Sequence, residues 1–481
     1  MQSLIERFTD LLEDGKVSAS PLGLNVYKQG LRHDGGGRPL LAVFPETKAE
    51  VQAIVRLANE KRMPLVPVSS GPPRFHGGTA CKTDSVIVDF SRMNRILRID
   101  PDNRSVMLEP GATFGAVIPA LKAQGLRIST PLLPRANKSV VACHLEREPG
   151  TIPKYHYDHL DPLLTLEVVY GTGDDFRTGS ASGPGSLETL KADKVNPWGP
   201  GSLDYYRFVS AAQGSMGLVT WAVLKTEVLP VIKRPYFIPV TDPGRLTAPM
   251  NELLRRRIVD ECLALNRHTL AAILAGDDAR EFARLQAALP PWTILLAISG
   301  YQRRPEERVR VQEKHLFDVG DRLGIAIEPD LPGLRARGAE LLESLENPWP
   351  ETPHWKLRSG DSHDIFFLCP MSKVASLILL MQELARDAGV NGEIGGYIQP
   401  VTQGRGCHCE FHFSGADPAL ARLSAEAPEA LMNHGAFFSR PYGAWADLVY
   451  RDYAEGVAAL RELKRIFDPN NILNPGKLCF E

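Results

Sequence analysis

The chain has 481 residues, 43% hydrophobic and 23% charged, proportions that exclude disordered, collagen-like and coiled-coil architectures. Fifty-five Lys and Arg stand against 57 Asp and Glu, a formal charge of -2, so no basic excess points to nucleic acid or to an anionic membrane surface. At roughly 100–200 residues per domain the length accommodates two to four domains, and apolar runs such as Val374–Met381 and Ile294–Ile298 end well short of the roughly 18 residues of a membrane span.

In chain order the first element is MQSLIERFTDLLEDG, an acidic amphipathic helix without the basic start and apolar centre of a secretion signal. The seven cysteines form an odd set with no CxxC pair. That usage fits a reducing cytoplasm, the expected location, and neither a disulfide scaffold nor a structural zinc site. From Leu40 to about Pro67 an extended apolar stretch precedes PETKAEVQAIVRLANEKRM, whose Val51, Ile54, Val55 and Leu57 predict a helix over Glu46–Met63. MPLVPVSS and SVIVDF (Ser85–Phe90) read as strands, a βαβ-like opening. Strand signals dominate up to Pro230 (RSVMLEPG, TLEVVYGTG, LVTWAVLKTEVLP), with a helix at Phe114–Gln124 and a surface loop over Gly171–Pro200. Beyond Pro230 helices are expected at Met250–Asn266, Asp277–Ala288, Glu306–Leu323 and Lys373–Ala388. They alternate with strands at Thr293–Ser299, Asp364–Leu368, Gly395–Pro400 and Cys407–Phe413. A last helix, Tyr453–Phe467, is stopped by Asp-Pro in DPNNILNPGK. The fold class expected is α+β, and no repeat is visible.

The most informative loop is PVSSGPPRFHGGT (Pro67–Thr79), with three hydroxyls, three glycines and three prolines after a strand. Successive N–H groups on such a loop can cradle an anion, and glycine lets the backbone approach a phosphate. It matches neither GxxxxGK[ST] nor GxGxxG, and an ordinary Pro/Gly surface loop is the alternative. Its context carries more: VDFSRMNRIL, MLEPGATF, Gly171-Thr-Gly-Asp, FRTGSASGPG, AAQGSMGLVTWAVLKTEVLP and FDPNNILNPGK follow in that order. The series resembles the flavoproteins of the vanillyl-alcohol oxidase and para-cresol methylhydroxylase family over roughly Leu41 to Lys477.

The resemblance implies FAD as cofactor, held in an FAD-binding domain of two α+β subdomains, beneath an α+β cap that shapes the substrate pocket. The expected division is an N-terminal helical segment at 1–40, the FAD domain at 41–235, the cap at 236–439 and a segment returning to the FAD domain at 440–481. It implies a pyrophosphate loop of Ser69, Ser70, Gly71, Pro72, Pro73, Arg74, Gly77 and Gly78, with Gly214, Gly217, Val219 and Ser139 also along the cofactor. EREPGTIPKYHYDH (Glu146–His159) resembles the family's ERGxxYTPYGDH segment, which assigns its acidic residue to Asp158. The family's phenolate-binding pair would fall on Tyr450 and Arg451. His76 stands where the phenol-binding branch has a clamp tyrosine, and the segment around Ala142–Pro149 lacks the family's usual glycines. RGCHCEFHF resembles the strand from which some members attach FAD covalently, so His408 and Cys409 are the candidate attachment points, unlinked FAD being favoured.

These residues permit hydride transfer from a benzylic carbon of a para-substituted phenol or aromatic alcohol to flavin N5. Arg451 and Tyr450 would hold the phenolate and Asp158 would act as acid/base. The alternatives are that Tyr450–Arg451 is a surface pair and Asp158 a turn cap. His408, Glu410 and His412 share a strand face, but the two histidines are about 13 Å apart along an extended strand, too far to share an ion. No metal is expected, and the HxGDGxxH block of metal-carrying 2-hydroxy acid flavoproteins is absent. A 2-hydroxy acid or other alcohol substrate is the alternative, and a flavin-binding subunit of a larger complex the second. Oxygen, a cytochrome or another electron-carrier protein would take the electrons, and a homo-oligomer is expected.

Overall fold

The computed structural model describes the chain except residues 1, 14, 29–35, 75–81, 156–160, 183–184, 186, 190–204, 351–353, 358–361, 391–393, 416 and 481. The described strands begin with β1 (Val17–Ser18), β2 (Pro39–Val43), β3 (Leu65–Val68) and β4 (Ser85–Asp89). These form a sheet of order β1-β2-β4-β3, parallel between β2, β4 and β3. The crossover from β2 to β3 is the helix Lys48–Lys61, shorter at both ends than the pattern suggested. Its start is set by a capping box: the Thr47 hydroxyl accepts from the Glu50 N–H at 3.2 Å, and Glu50 accepts from the Thr47 N–H at 3.1 Å. Val51, Ile54, Val55 and Ala58 then bury one face against this sheet.

Next come β5 (Ile96–Asp100), β6 (Ser105–Leu108), β7 (Leu126–Arg127), β8 (Leu163–Val169), β9 (Asp175–Arg177), β10 (Leu218–Lys225) and β11 (Glu227–Val228). Five of them make an antiparallel sheet of order β5-β6-β10-β8-β9, and β7 pairs with β11. The helix Phe114–Lys122 packs Phe114, Val117, Ile118 and Leu121 into this sheet's core.

The remaining strands, β12 (Ile232–Val240), β13 (Glu261–Asn266), β14 (Trp292–Gly300), β15 (Ser362–Pro370), β16 (Gly395–Val401) and β17 (Gly406–Ser414), build one antiparallel sheet of order β12-β14-β13-β16-β17-β15. Helices including Pro305–Leu323, Val374–Asp387 and Pro418–Asn433 cover one face, with Cys407, Cys409 and Phe411 of β17 in that core. Alternation turns His408, Glu410 and His412 to the other face.

The stretch Met250–Asn266, expected as one helix, divides into a helix Thr247–Arg255 and the strand β13. ECLALN is buried at nearly every position, and a short, fully buried apolar run carries no periodicity that separates strand from helix. The C-terminal tail returns to the first sheet: Leu65 N–H donates to Ile472 at 2.7 Å and Asn474 N–H to Leu65 at 2.8 Å. The buried Lys464 ammonium holds this turn, donating to Asp468 (2.8 Å) and to the Ser215 (2.7 Å) and Leu473 (3.1 Å) carbonyls. Asp468 in turn accepts from the Ile472 and Leu473 N–H groups.

Candidate active site

A long cavity runs between the two N-terminal sheets and extends to the inner face of the cap sheet. Ser69, Ser70, Arg74, Gly214, Gly217 and Val219 all line it. The loop after β3 is pinned by the segment Arg135–Ser139: Gly71 N–H donates to the Asn137 carbonyl (2.9 Å), Asn137 Nδ2 to Pro72 (2.7 Å), and Arg135 to Gly71 (2.6 Å). Ser139 is fully buried, caps the helix Val140–Leu145, and donates its N–H to Ser70 Oγ at 3.0 Å, so it positions the loop without lining the cavity. Gly71, Pro72 and Pro73 likewise sit behind the wall rather than in it.

Two glycines bring backbone to the cavity where a side chain has no room. Gly214 has φ +71°, and a Cβ there would sit 2.3 Å from Pro67 Cγ; at Gly217 it would sit 2.2 Å from Val168 Cγ2. Arg74 is fixed by the Ser70 and Val26 carbonyls (both 3.0 Å) and lies 5.0 Å from the Tyr27 ring centroid. Burial lowers the Arg74 value and pushes Arg135 down to about 10. Two guanidiniums held by carbonyls, beside glycine backbone and serine hydroxyls, suit the phosphates of a dinucleotide.

At the cap end, Lys356 donates to Glu410 and to Asp364 (3.2 Å). Glu410 also accepts from Tyr397 (2.8 Å) and contacts His408 Nε2 (3.1 Å). Burial would raise the Glu410 carboxyl, but Lys356 and His408 hold it well below the usual range, while burial lowers His408. Arg440 and Tyr442 enter from the segment before the helix Ala444–Tyr450. The Arg440 guanidinium, 7% exposed, lies 4.2 Å from the Phe366 ring centroid and has no hydrogen-bonded acceptor among the described residues. Burial opposes its charge, and Tyr442, Glu148 and Glu410 sustain it. Across the cavity, Glu146 and Glu148 follow the helix Val140–Leu145, with Lys138 paired to Glu148. Gln213 ties the two sides together by donating to the Pro441 carbonyl at 2.7 Å.

The structure does not bring Tyr450 and Arg451 to this cavity. Tyr450 packs with Met216, Phe480 and Cys479, and Arg451 pairs on the surface with Glu429 at 2.6 Å. Of the cations that line the cavity, Arg440 stands nearest in sequence, eleven residues earlier in the chain, beyond a helix whose length the sequence pattern did not reveal. Cys409 faces the cap core, its Sγ 3.6 Å from Cys369, and His408 lies behind Glu410; neither lines the cavity. His76, Gly77, Gly78 and Asp158 lie outside the described residues. Sequence reasoning missed Arg440, Tyr442, Lys356, Tyr397 and the Glu146–Glu148 pair. Glu146 and Glu148 stood within a segment already singled out and Tyr397 within an expected strand, whereas SRPYG carries no spacing that marks it as a site.

Residues 39–179 match a model described as FAD binding domain, and residues 367–478 one described as FAD linked oxidases, C-terminal domain. The chain is 23% identical over 95% of its length to the glycolate oxidase subunit GlcD of Bacillus subtilis, covering 93% of that protein. It is 25% identical over 66% of its length to the 4-cresol dehydrogenase [hydroxylating] flavoprotein subunit of Pseudomonas putida, covering 63% of it. Among solved structures, p-cresol methylhydroxylase with substrate bound aligns over all of this chain and 97% of its own, with a TM-score of 0.82 at 20% identity. The fold expected from the sequence is thereby established, and this chain is an FAD-linked oxidoreductase that carries an FAD-binding domain and an FAD-linked oxidase C-terminal domain on the vanillyl-alcohol oxidase fold.

Proposed function

We propose that this flavoprotein takes hydride from a benzylic carbon of a para-substituted phenol bound as phenolate on Arg440. The observation that carries the reading is the buried Arg440 guanidinium, stacked on Phe366 and open to the cavity without an acceptor among the described residues. A buried, unpaired cation costs several kcal/mol, and an anionic substrate oxygen would offset that cost. Tyr442 and Tyr397, also on the cavity wall, add hydroxyl groups near the same oxygen. Bound FAD supplies a hydride acceptor at its isoalloxazine N5. The chain's part is to stabilise the ionised phenol, to hold its para carbon toward the flavin and to limit water around the charges.

A second reading replaces the phenolate by the carboxylate of a 2-hydroxy acid. It is favoured by the fork of Arg440, which has no acceptor among the described residues and suits bidentate carboxylate binding, by the Lys356 ammonium on the same cavity, and by the relative named as a glycolate oxidase subunit. Anaerobic mixing of the holoprotein with 4-cresol, and separately with glycolate and D-lactate, discriminates the two. Bleaching of the flavin band by 4-cresol alone is the expected result, and bleaching by the hydroxy acids alone would overturn the phenolic reading. Following oxygen consumption against cytochrome c reduction in the same samples tests whether oxygen or a carrier protein takes the electrons.

A further inference from the structure

Opposite Arg440, the cavity wall carries two carboxyl groups against one directly bonded ammonium. Glu146 is the C-cap residue of the helix Val140–Leu145 and Glu148 lies two residues on. Their side chains are within hydrogen-bonding reach of each other. Lys138 donates to Glu148, and the Cys143 thiol lies 3.5 Å from the same carboxylate. Glu146 faces the cavity and receives the Tyr442 hydroxyl at 3.4 Å. The groups bearing on Glu146 are therefore Glu148, Lys138, Arg135, Arg440, Tyr442 and Cys143.

We propose that Glu146 accepts, by way of the Tyr442 hydroxyl, the proton that the substrate oxygen must lose at Arg440, and that Glu148 is the positioning residue whose charge Glu146 works against. This rests on Arg440 as the anion site for a phenol; a 2-hydroxy acid meets Arg440 with its carboxylate already ionised, and the proton passed to Tyr442 would then be that of its C2 hydroxyl. The substrate O–H bond breaks as an O–H bond forms at Tyr442. The original Tyr442 O–H bond breaks as one forms on Glu146. No electrons change hands at these residues; the two-electron oxidation belongs to the flavin. Two carboxylates in contact cannot both ionise easily, and burial followed by the Glu148 charge pushes Glu146 up to about 7 against Lys138 and Arg440. The carboxyl is thus protonated below that pH and a competent base above it. A carboxyl raised toward neutrality is also a stronger base for a hydroxyl proton than one at its ordinary value near 4.

The test is anaerobic flavin reduction of the holoprotein by 4-cresol and by D-lactate as a function of pH, paired with infrared pH-difference spectra recorded without substrate. In the wild type the reduction rate should rise through about pH 7, and a protonated-carboxyl band should vanish over the same range. Glu146→Gln should remove both the band and the rising limb and slow reduction roughly a hundredfold, with the bound-flavin spectrum unchanged. Glu148→Gln should move both features to lower pH, since its charge raises Glu146. Tyr442→Phe should slow reduction while leaving the infrared band in place. A wild-type pH profile in Glu146→Gln, or an infrared band that survives it, overturns the proposal. Failure of the Arg440 reading is separate: Arg440→Ala would then bind 4-cresol and D-lactate as tightly as the wild type, whereas the infrared titration tests the carboxyl pair with no substrate present.

Discussion

On the FAD-domain side the cavity is lined in part by backbone and short side chains, Ser69, Ser70, Gly214 and Gly217, beside the charged side chains of Arg74, Arg135, Glu146 and Glu148. On the cap side it is lined by Lys356, Tyr397, Glu410, Arg440 and Tyr442, long polar side chains brought from four separated segments. The first surface suits a cofactor with fixed phosphates, which oriented N–H groups and small residues can approach closely. The second suits a reacting molecule whose charge changes, which needs ionisable groups held against one another. The difference teaches that the cofactor half tolerates little added volume at Gly214 and Gly217, whereas the cap half tolerates little change of charge.

The largest expected effect tests whether the C-terminal tail truly belongs to the cofactor half. Lys464→Met leaves Asp468, 1% exposed, as an uncompensated buried carboxylate. A loss of about 3–5 kcal/mol is expected, read in a chemical denaturation curve, together with loss of bound flavin because Asn474 lines the cavity from the same turn. On the cap half, Arg440→Ala should weaken 4-cresol binding by roughly 1.5–3 kcal/mol, the loss expected for a charged hydrogen bond. Arg451→Ala, which removes only the surface pair with Glu429, should leave binding and flavin reduction unchanged. Equal losses at the two arginines would dissolve the contrast drawn between them. Gly214→Ala imposes a positive φ on a side chain and a 2.3 Å approach to Pro67. About 1–2 kcal/mol of strain should appear as weaker FAD retention on dilution, with the thermal transition of the cap less affected. The smallest effect is Thr47→Ala, which removes one arm of a capping box that does not line the cavity. It should cost about 1 kcal/mol of stability and leave flavin reduction untouched.

Much of the FAD-domain fold was legible because its signals are local. A Pro/Gly/Ser loop after a strand and the apolar face of Val51, Ile54 and Val55 each express a requirement within a few residues, whereas Gly214 and Gly217 are named through the family resemblance. The same locality explains the misreadings. ECLALN is apolar throughout, and a run without periodicity is assigned only by its neighbours in the sheet, here β14 and β16. Tyr450 and Arg451 stand next to each other as a phenolate-binding pair would, yet the helix Ala444–Tyr450 turns the arginine to the surface.

By itself, then, the order of residues determined the α+β class, the βαβ opening and the strand face shared by His408, Glu410 and His412, because period, turn chemistry and alternation act over one to a few residues. Only the tertiary structure decided that Arg440 supplies the cavity's open guanidinium, that Lys356 joins Glu410 to Asp364, and that Glu146 meets Tyr442 across 296 positions of chain. Those are contacts between charges whose energy depends on burial and distance, and neither quantity exists until the cap sheet has closed over the flavin domain.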